Sequence, residues 1–166
     1  MTTGILGHIQ RQESRNKMQP TVVTWILVIF GAITMAPLIL AQLVMLVKPN
    51  SQKAKDILVA KGEDWRDKTH FRSALGFAWA DWLLVVPLVI SGSIGVILGH
   101  AWGYVLWGAA GSISLYINIV LWFMEKEYVY PSRGALAYYT YYWGFFVYWG
   151  ALALAYSVMR LSGIEL

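Results

Sequence analysis

Asp81 is the only formal charge between Ser73 and Gly99, a stretch otherwise composed like a membrane span. A charge in the middle of a bilayer costs roughly 2.5–3.5 kcal/mol on insertion scales, so such a residue faces protein or water and is a site by default. A carboxylate in that setting can hold a proton, bind a cation or anchor the polar head of a lipophilic molecule. Beside a tyrosine it can also act as a general acid.

Helical geometry places its candidate partners. Asp81 lies nine residues beyond Arg72, roughly 13 Å along a helix axis. Asn118 lies seven residues before Glu125, roughly 10 Å. Gln42 precedes Lys48 by six residues and Thr140 follows Gly134 by six, each roughly 9 Å. All four polar groups therefore sit at similar depth, and Tyr138, Tyr141 and Tyr142 add hydroxyls nearby. The ligand-binding set expected from the sequence is Asp81, Asn118, Gln42, Thr140, Tyr141 and Tyr138. On an ideal helix Leu88, Gly92, Gly95 and Gly99 fall within about 40° of Asp81. That small-residue strip predicts close packing on protein. Gly111, Ser114, Asn118 and Glu125 share a face of the next helix, which the spacing predicts to lie beside helix two. The competing structural reading makes Asp81 a packing carboxylate bonded to Asn118 or Tyr141, where a polar pair contributes about 0.6 kcal/mol on average.

Other candidates are less demanding. Glu125 and Glu127 read as a solvated helix end or as an acid pair at the mouth of a cavity. The run Tyr138-Tyr139-Thr140-Tyr141-Tyr142-Trp143 reads as an interfacial aromatic belt or a headgroup platform. His70 and His100 end the same helix about 45 Å apart, so they cannot share a metal or haem within one chain. Both read as surface histidines, and His8 belongs to a tail. No spacing of metal ligands, phosphate loop or nucleophile elbow occurs. No cofactor, metal or nucleic-acid partner is expected.

The elements that must hold these residues follow from composition. The chain has 166 residues, 58% hydrophobic and only 13% charged, where a soluble domain carries about 25%. The deficit is concentrated in four runs, about 21–47, 73–99, 101–124 and 134–161. Each exceeds the about 20 residues that cross a hydrocarbon core. The expected fold is all-α, an integral membrane four-helix bundle in one domain over 20–166, behind a polar tail over 1–19. Within that tail Ile5, Leu6 and Ile9 offer a short interfacial turn. The run after Arg11, Arg15 and Lys17 is too long for a signal-peptide core and reads as a retained helix. Helix one starts near Pro20, and Pro37 inside it predicts a kink. Cysteine is absent, which excludes disulfides, thiolate metal sites and thiol catalysis.

The segment 48–72 is the substantial loop. Asn50 and Ser51 can cap a short interfacial helix over 52–61, with Gly62 ending it. Ile57, Leu58 and Trp65 are expected on the lipid surface, and Asp64 at the start of helix two. The turn at His100–Gly103 makes helices two and three antiparallel neighbours, and 128–133 reads as a second turn. Basic residues number nine on the side of the long loop against four on the side of the termini. That bias predicts a cytoplasmic loop and both termini outside. The net charge of +4 then faces anionic lipid.

Three functions fit. The first is a binding or translocation protein for a proton, a cation or a lipophilic small molecule, with protonation of Asp81 as its switch and Pro37 and Pro87 as flexible points. The second is an accessory subunit of a larger membrane complex. The third is an intramembrane enzyme acting on a lipid, quinone or terpenoid through Asp81, Tyr141 and Glu125. A bundle of this size encloses little volume, so a homo-oligomer or a membrane-complex partner is expected.

Overall fold

The computed structural model describes residues 18–166, and for 130–133 the backbone alone. Residues 1–17 of the tail, where the interfacial turn is expected and His8 lies, are outside the described residues. Among those described the structure is helical, without strands.

Helix α1, Val22–Val47, opens on a reciprocal cap: the Thr21 hydroxyl accepts from the Thr24 amide and the Thr24 hydroxyl from the Thr21 amide. These bonds satisfy amides that the first helical turn leaves free. The backbone stays helical through Pro37. Helix α2, Gln52–Leu58, starts on Ser51 as expected. It ends earlier than the sequence suggests, and Gly62 instead turns the chain with φ +82°. Helix α3, Lys68–Ala80, starts on Asp67, whose carboxylate accepts from the amides of Thr69 and His70. Asp64 does not cap it; its side chain pairs with Lys55 at 2.7 Å.

Asp81–Val85 is a π-turn, in which the amide of Val86 bonds back to the carbonyl of Asp81. Helix α4, Val86–Ile97, follows without a break in the helical path. Helix α5, Ala101–Tyr141, is interrupted at Gly134, whose φ of 75° and ψ of 164° break the helical path. Helix α6, Gly144–Leu161, follows a break at Trp143, which lies in the left-handed region at φ 60°. Four helical stretches are long and apolar enough to cross a membrane: Val22–Val47, Lys68–Ile97, Ala101–Val129 and Gly144–Leu161.

Two boundaries differ from the sequence expectation for a physical reason. The segment 128–133 is helical, and the turn sits at Gly134 instead. The tyrosine run then lies outside the fourth apolar helix: the Tyr138 hydroxyl donates to the carbonyl of Trp122, and the Trp122 indole donates to the carbonyl of Tyr142 at 2.7 Å. The break at Gly134 thus turns the aromatic segment back along the flank of α5.

The helices form a ring. Helix α1 lies against α3, α4 and α6, while α5 lies against α4 and α6. Large apolar side chains point outward from each span, among them Ile33, Leu83, Phe123 and Leu152. That is the surface expected where hydrocarbon replaces water. The fold is that of a multi-pass membrane four-helix bundle.

The interior is uneven. Near the chain termini Leu27, Val96, Tyr104, Trp107 and Tyr156 close one cluster, and Met35, Ala110, Trp149 and Ala153 a second. Small residues permit the approach. A Cβ on Gly95 would stand 2.5 Å from the Gly103 Cα, and one on Gly111 would stand 2.7 Å from the Gly150 carbonyl oxygen. On the loop side the packed cluster is Met45, Ala54 and Ala78, drawn from α1, α2 and α3 only. Leu58 and Trp65 pack into it, so they are not laid on lipid as expected. Helix α5 has no part in this cluster, and a cavity occupies the space between.

Candidate functional site

The cavity measures about 260 Å³ and runs from the bundle interior to the long loop. Its inner wall carries Met35, Ile113, Ile117 and Phe146; its loop end carries Ile57, Arg66, His70 and Glu125. Asp81 faces it from the π-turn, Gln42 from α1, and Ser114 and Asn118 from α5.

The π-turn explains how Asp81 comes to face this space. One extra residue in the turn rotates everything beyond it by roughly 100° relative to an unbroken α-helix. Gly92 and Gly95 accordingly abut Trp107, Trp102 and Gly103 of α5, whereas the Asp81 carboxylate meets the side-chain amide of Gln42 on α1. Asp81 therefore does not share the face of the glycine strip, as an ideal helix would have it. The polar face of α5 is also displaced from its expected neighbour. Gly111 abuts Gly150, and the Ser114 hydroxyl donates to the carbonyl of Phe146 at 3.0 Å, so this part of the face lies on α6.

Of the six residues expected to bind ligand, Asp81, Gln42, Asn118 and Tyr141 line the cavity. Thr140 and Tyr138 do not. Asn118 donates to the Ser114 carbonyl at 2.7 Å and not to Asp81. Tyr138 is buried against Trp122, and burial pushes its hydroxyl up to about 12, so it stays a donor at neutral pH. Tyr141 is mostly exposed and stands edge-on to Phe145 at 5.7 Å.

The polar balance at Asp81 is one-sided. Gln42 is 5% exposed, and it presents its amide N–H to the carboxylate. That orientation follows from chemistry, since an ionised carboxylate can only accept. The Gln42 Oε1 atom is left buried without a partner. No basic side chain among the described residues pairs with Asp81.

At the loop end Arg66 bonds both oxygens of Glu125, at 2.9 and 3.1 Å, and its guanidinium lies 3.9 Å from the Tyr128 ring centre. This tie crosses from the long loop to α5. Glu125 is therefore neither a solvated helix end nor half of an acid pair; Glu127 is exposed. His70 lines the same end, with Trp65 packed edge-on at 5.6 Å and its Nδ1 buried without a partner. It is not a plain surface histidine. Arg66 escaped the sequence reading because its neighbours, Glu125 and Tyr128, come from a different span. The basic loop offered seven equivalent cations, and only the fold selects one.

A second polar cluster lies near the chain termini. Arg160 is 2% exposed; it donates to the Gln19 carbonyl at 2.7 Å and leaves Nε and Nη1 without partners. Around it the Tyr156 hydroxyl bonds Thr21 and Thr24, each at 2.7 Å. A basic residue in the last turn of a helix reads as ordinary dipole complementation, so the sequence gives no signal of its burial.

No group of three or more histidine, aspartate or glutamate side chains is placed to hold a metal among the described residues. No protein-family model, curated protein or solved structure matches this chain.

Proposed function

We propose that this chain binds a proton, a cation or a small lipophilic molecule in the Asp81 cavity, or carries it through the membrane. The observation that carries the reading is a carboxylate facing a cavity of about 260 Å³ with one neutral hydrogen-bond partner. A structural carboxylate would be expected to have its lone pairs answered by fixed donors, because an incompletely paired charge away from water is destabilising. Here the space beside it is left open and mostly apolar. The lining is of the kind that holds ligands, hydrophobic with a few placed polar groups. The excess of Lys and Arg in the long loop favours a cavity that opens towards the cytoplasm.

The test is native mass spectrometry of the gently solubilised protein, with proton flux measured in reconstituted vesicles. Ile117 lines the cavity, so Ile117→Trp fills it from a wall without touching Asp81. A small-molecule mass or a proton flux present in the wild type and lost in Ile117→Trp supports the reading. Equal ligand content and equal flux in both proteins would overturn it.

A further inference from the structure

We infer that the occupant of this cavity is an organic ammonium ion, a protonated amine on a small apolar or aromatic body, with its charged nitrogen at the Asp81 carboxylate. This rests on the reading that the cavity binds a small molecule.

The charges select the ligand class. Among the described residues, Arg66, Glu125 and Asp81 are the Arg, Lys, Asp and Glu side chains lining the cavity, with His70 beside the first two. Arg66 and Glu125 answer one another at 2.9 Å. Asp81 remains with no cation of its own. An uncompensated carboxylate in a low-dielectric space favours a positive ligand.

The hydrogen-bonding groups point the same way. The Gln42 amide answers the carboxylate with a single N–H, so the carboxylate keeps acceptor positions towards the cavity. A protonated amine is all donor, and it would satisfy them. A carboxylate, phosphate or carbonyl head would meet acceptors with acceptors.

The apolar walls set the body. Phe77 and Phe146 line the space together with Tyr141, Tyr142 and Trp143. Aromatic faces attract cations, most of all where water is excluded. The volume corresponds to roughly nine waters at about 30 Å³ each. That suits a compact aryl- or alkylamine.

The experiment is calorimetric titration of the protein in lipid nanodiscs with two probes of nearly equal shape, phenethylammonium and 2-phenylethanol. The amine should bind at least tenfold more tightly than the alcohol. In Asp81→Asn that preference should fall below twofold. The wild-type ratio alone decides the matter should the Asp81 variant fold poorly. Equal binding of the two probes, both lost in Ile117→Trp, would overturn the ammonium assignment and leave the cavity as a neutral-ligand site. Binding of neither probe would overturn both the assignment and the small-molecule reading beneath it.

Discussion

Gln42 of α1 donates its side-chain amide to the carboxylate of Asp81 on the π-turn, tying the first span to the second inside the bundle. No other side chain among the described residues bonds that carboxylate. The pair stands where the packed interior gives way to the cavity, so it holds the wall of the site as well as its charge.

Removing half of this pair should cost more than removing all of it. Gln42→Leu leaves the carboxylate without its donor, a loss of about 1–3 kcal/mol. The double change Gln42→Leu with Asp81→Leu removes the desolvated charge and should recover most of that loss. Reversible unfolding in mixed micelles gives the four stabilities of the cycle. Strict additivity of the two single changes would show that the residues do not interact.

The tie between Arg66 and Glu125 should act locally. The side chains are 20% and 14% exposed, and a charge-assisted bond in that setting contributes about 1.5–3 kcal/mol. Glu125→Gln should speed amide exchange over α2 and residues 62–67 and leave α4 and α6 as they were. Uniform acceleration across all helices would mean that the loop is not a separate unit.

Gly103 and Gly76 should respond oppositely to a side chain. A Cβ on Gly103 runs into the backbone of Gly95 and Val96, whereas one on Gly76 meets nothing within 4 Å. Gly103→Ala should therefore destabilise by about 1–3 kcal/mol through overpacking. Gly76→Ala should stabilise by up to about 1 kcal/mol through helix propensity. Thermal midpoints of the two variants measured side by side check both signs.

Arg160 makes the counterintuitive case. It is buried with two of its three side-chain nitrogens unpartnered, and its Cζ lies 5.5 Å from the Tyr104 ring centre. Replacing a poorly compensated buried charge with an apolar side chain of similar length is often neutral or stabilising. Arg160→Met should leave stability within about 1 kcal/mol of wild type or raise it. A loss above about 3 kcal/mol would show that the guanidinium is fully answered in the membrane-embedded protein.

Acid should fray the start of α3 before the rest of the molecule. The amides of His70, then Thr69, hold the Asp67 carboxyl below its ordinary value of 3.8. A carboxylate with a depressed folded value contributes stability that is present above its unfolded value and is lost as pH falls through the folded one. Helix signal from residues 68–71 should therefore weaken below about pH 4. Asp67→Asn, which caps without titrating, should abolish that step. An unchanged step in Asp67→Asn would assign it to another group.

The four spans were legible in the sequence because uncharged runs of membrane length, such as Thr21 to Val47, rarely occur outside membrane helices. The shared depth of Asp81, Gln42 and Asn118 was legible too, since depth along a helix is counted from the nearest charged end. Azimuth was not. An ideal projection across Asp81–Val85 is wrong by one residue once a π-turn intervenes, so Asp81 and the glycine strip part company. Thr140 and Tyr138 were misplaced for a related reason: Gly134 takes them off the axis on which their depth was counted. The pairing of Arg66 with Glu125 joins residues 59 apart in sequence, and no local pattern records it.

The π-turn gives the second span a spare residue. Deleting one of residues 82–85 would close an ordinary helix and leave the flanking halves in register, with Asp81 still against Gln42. The same deletion in α1, which stays helical from Val22 to Val47, would swing one half by roughly 100° against the other. A one-codon deletion should therefore be tolerated in the π-turn and not in α1.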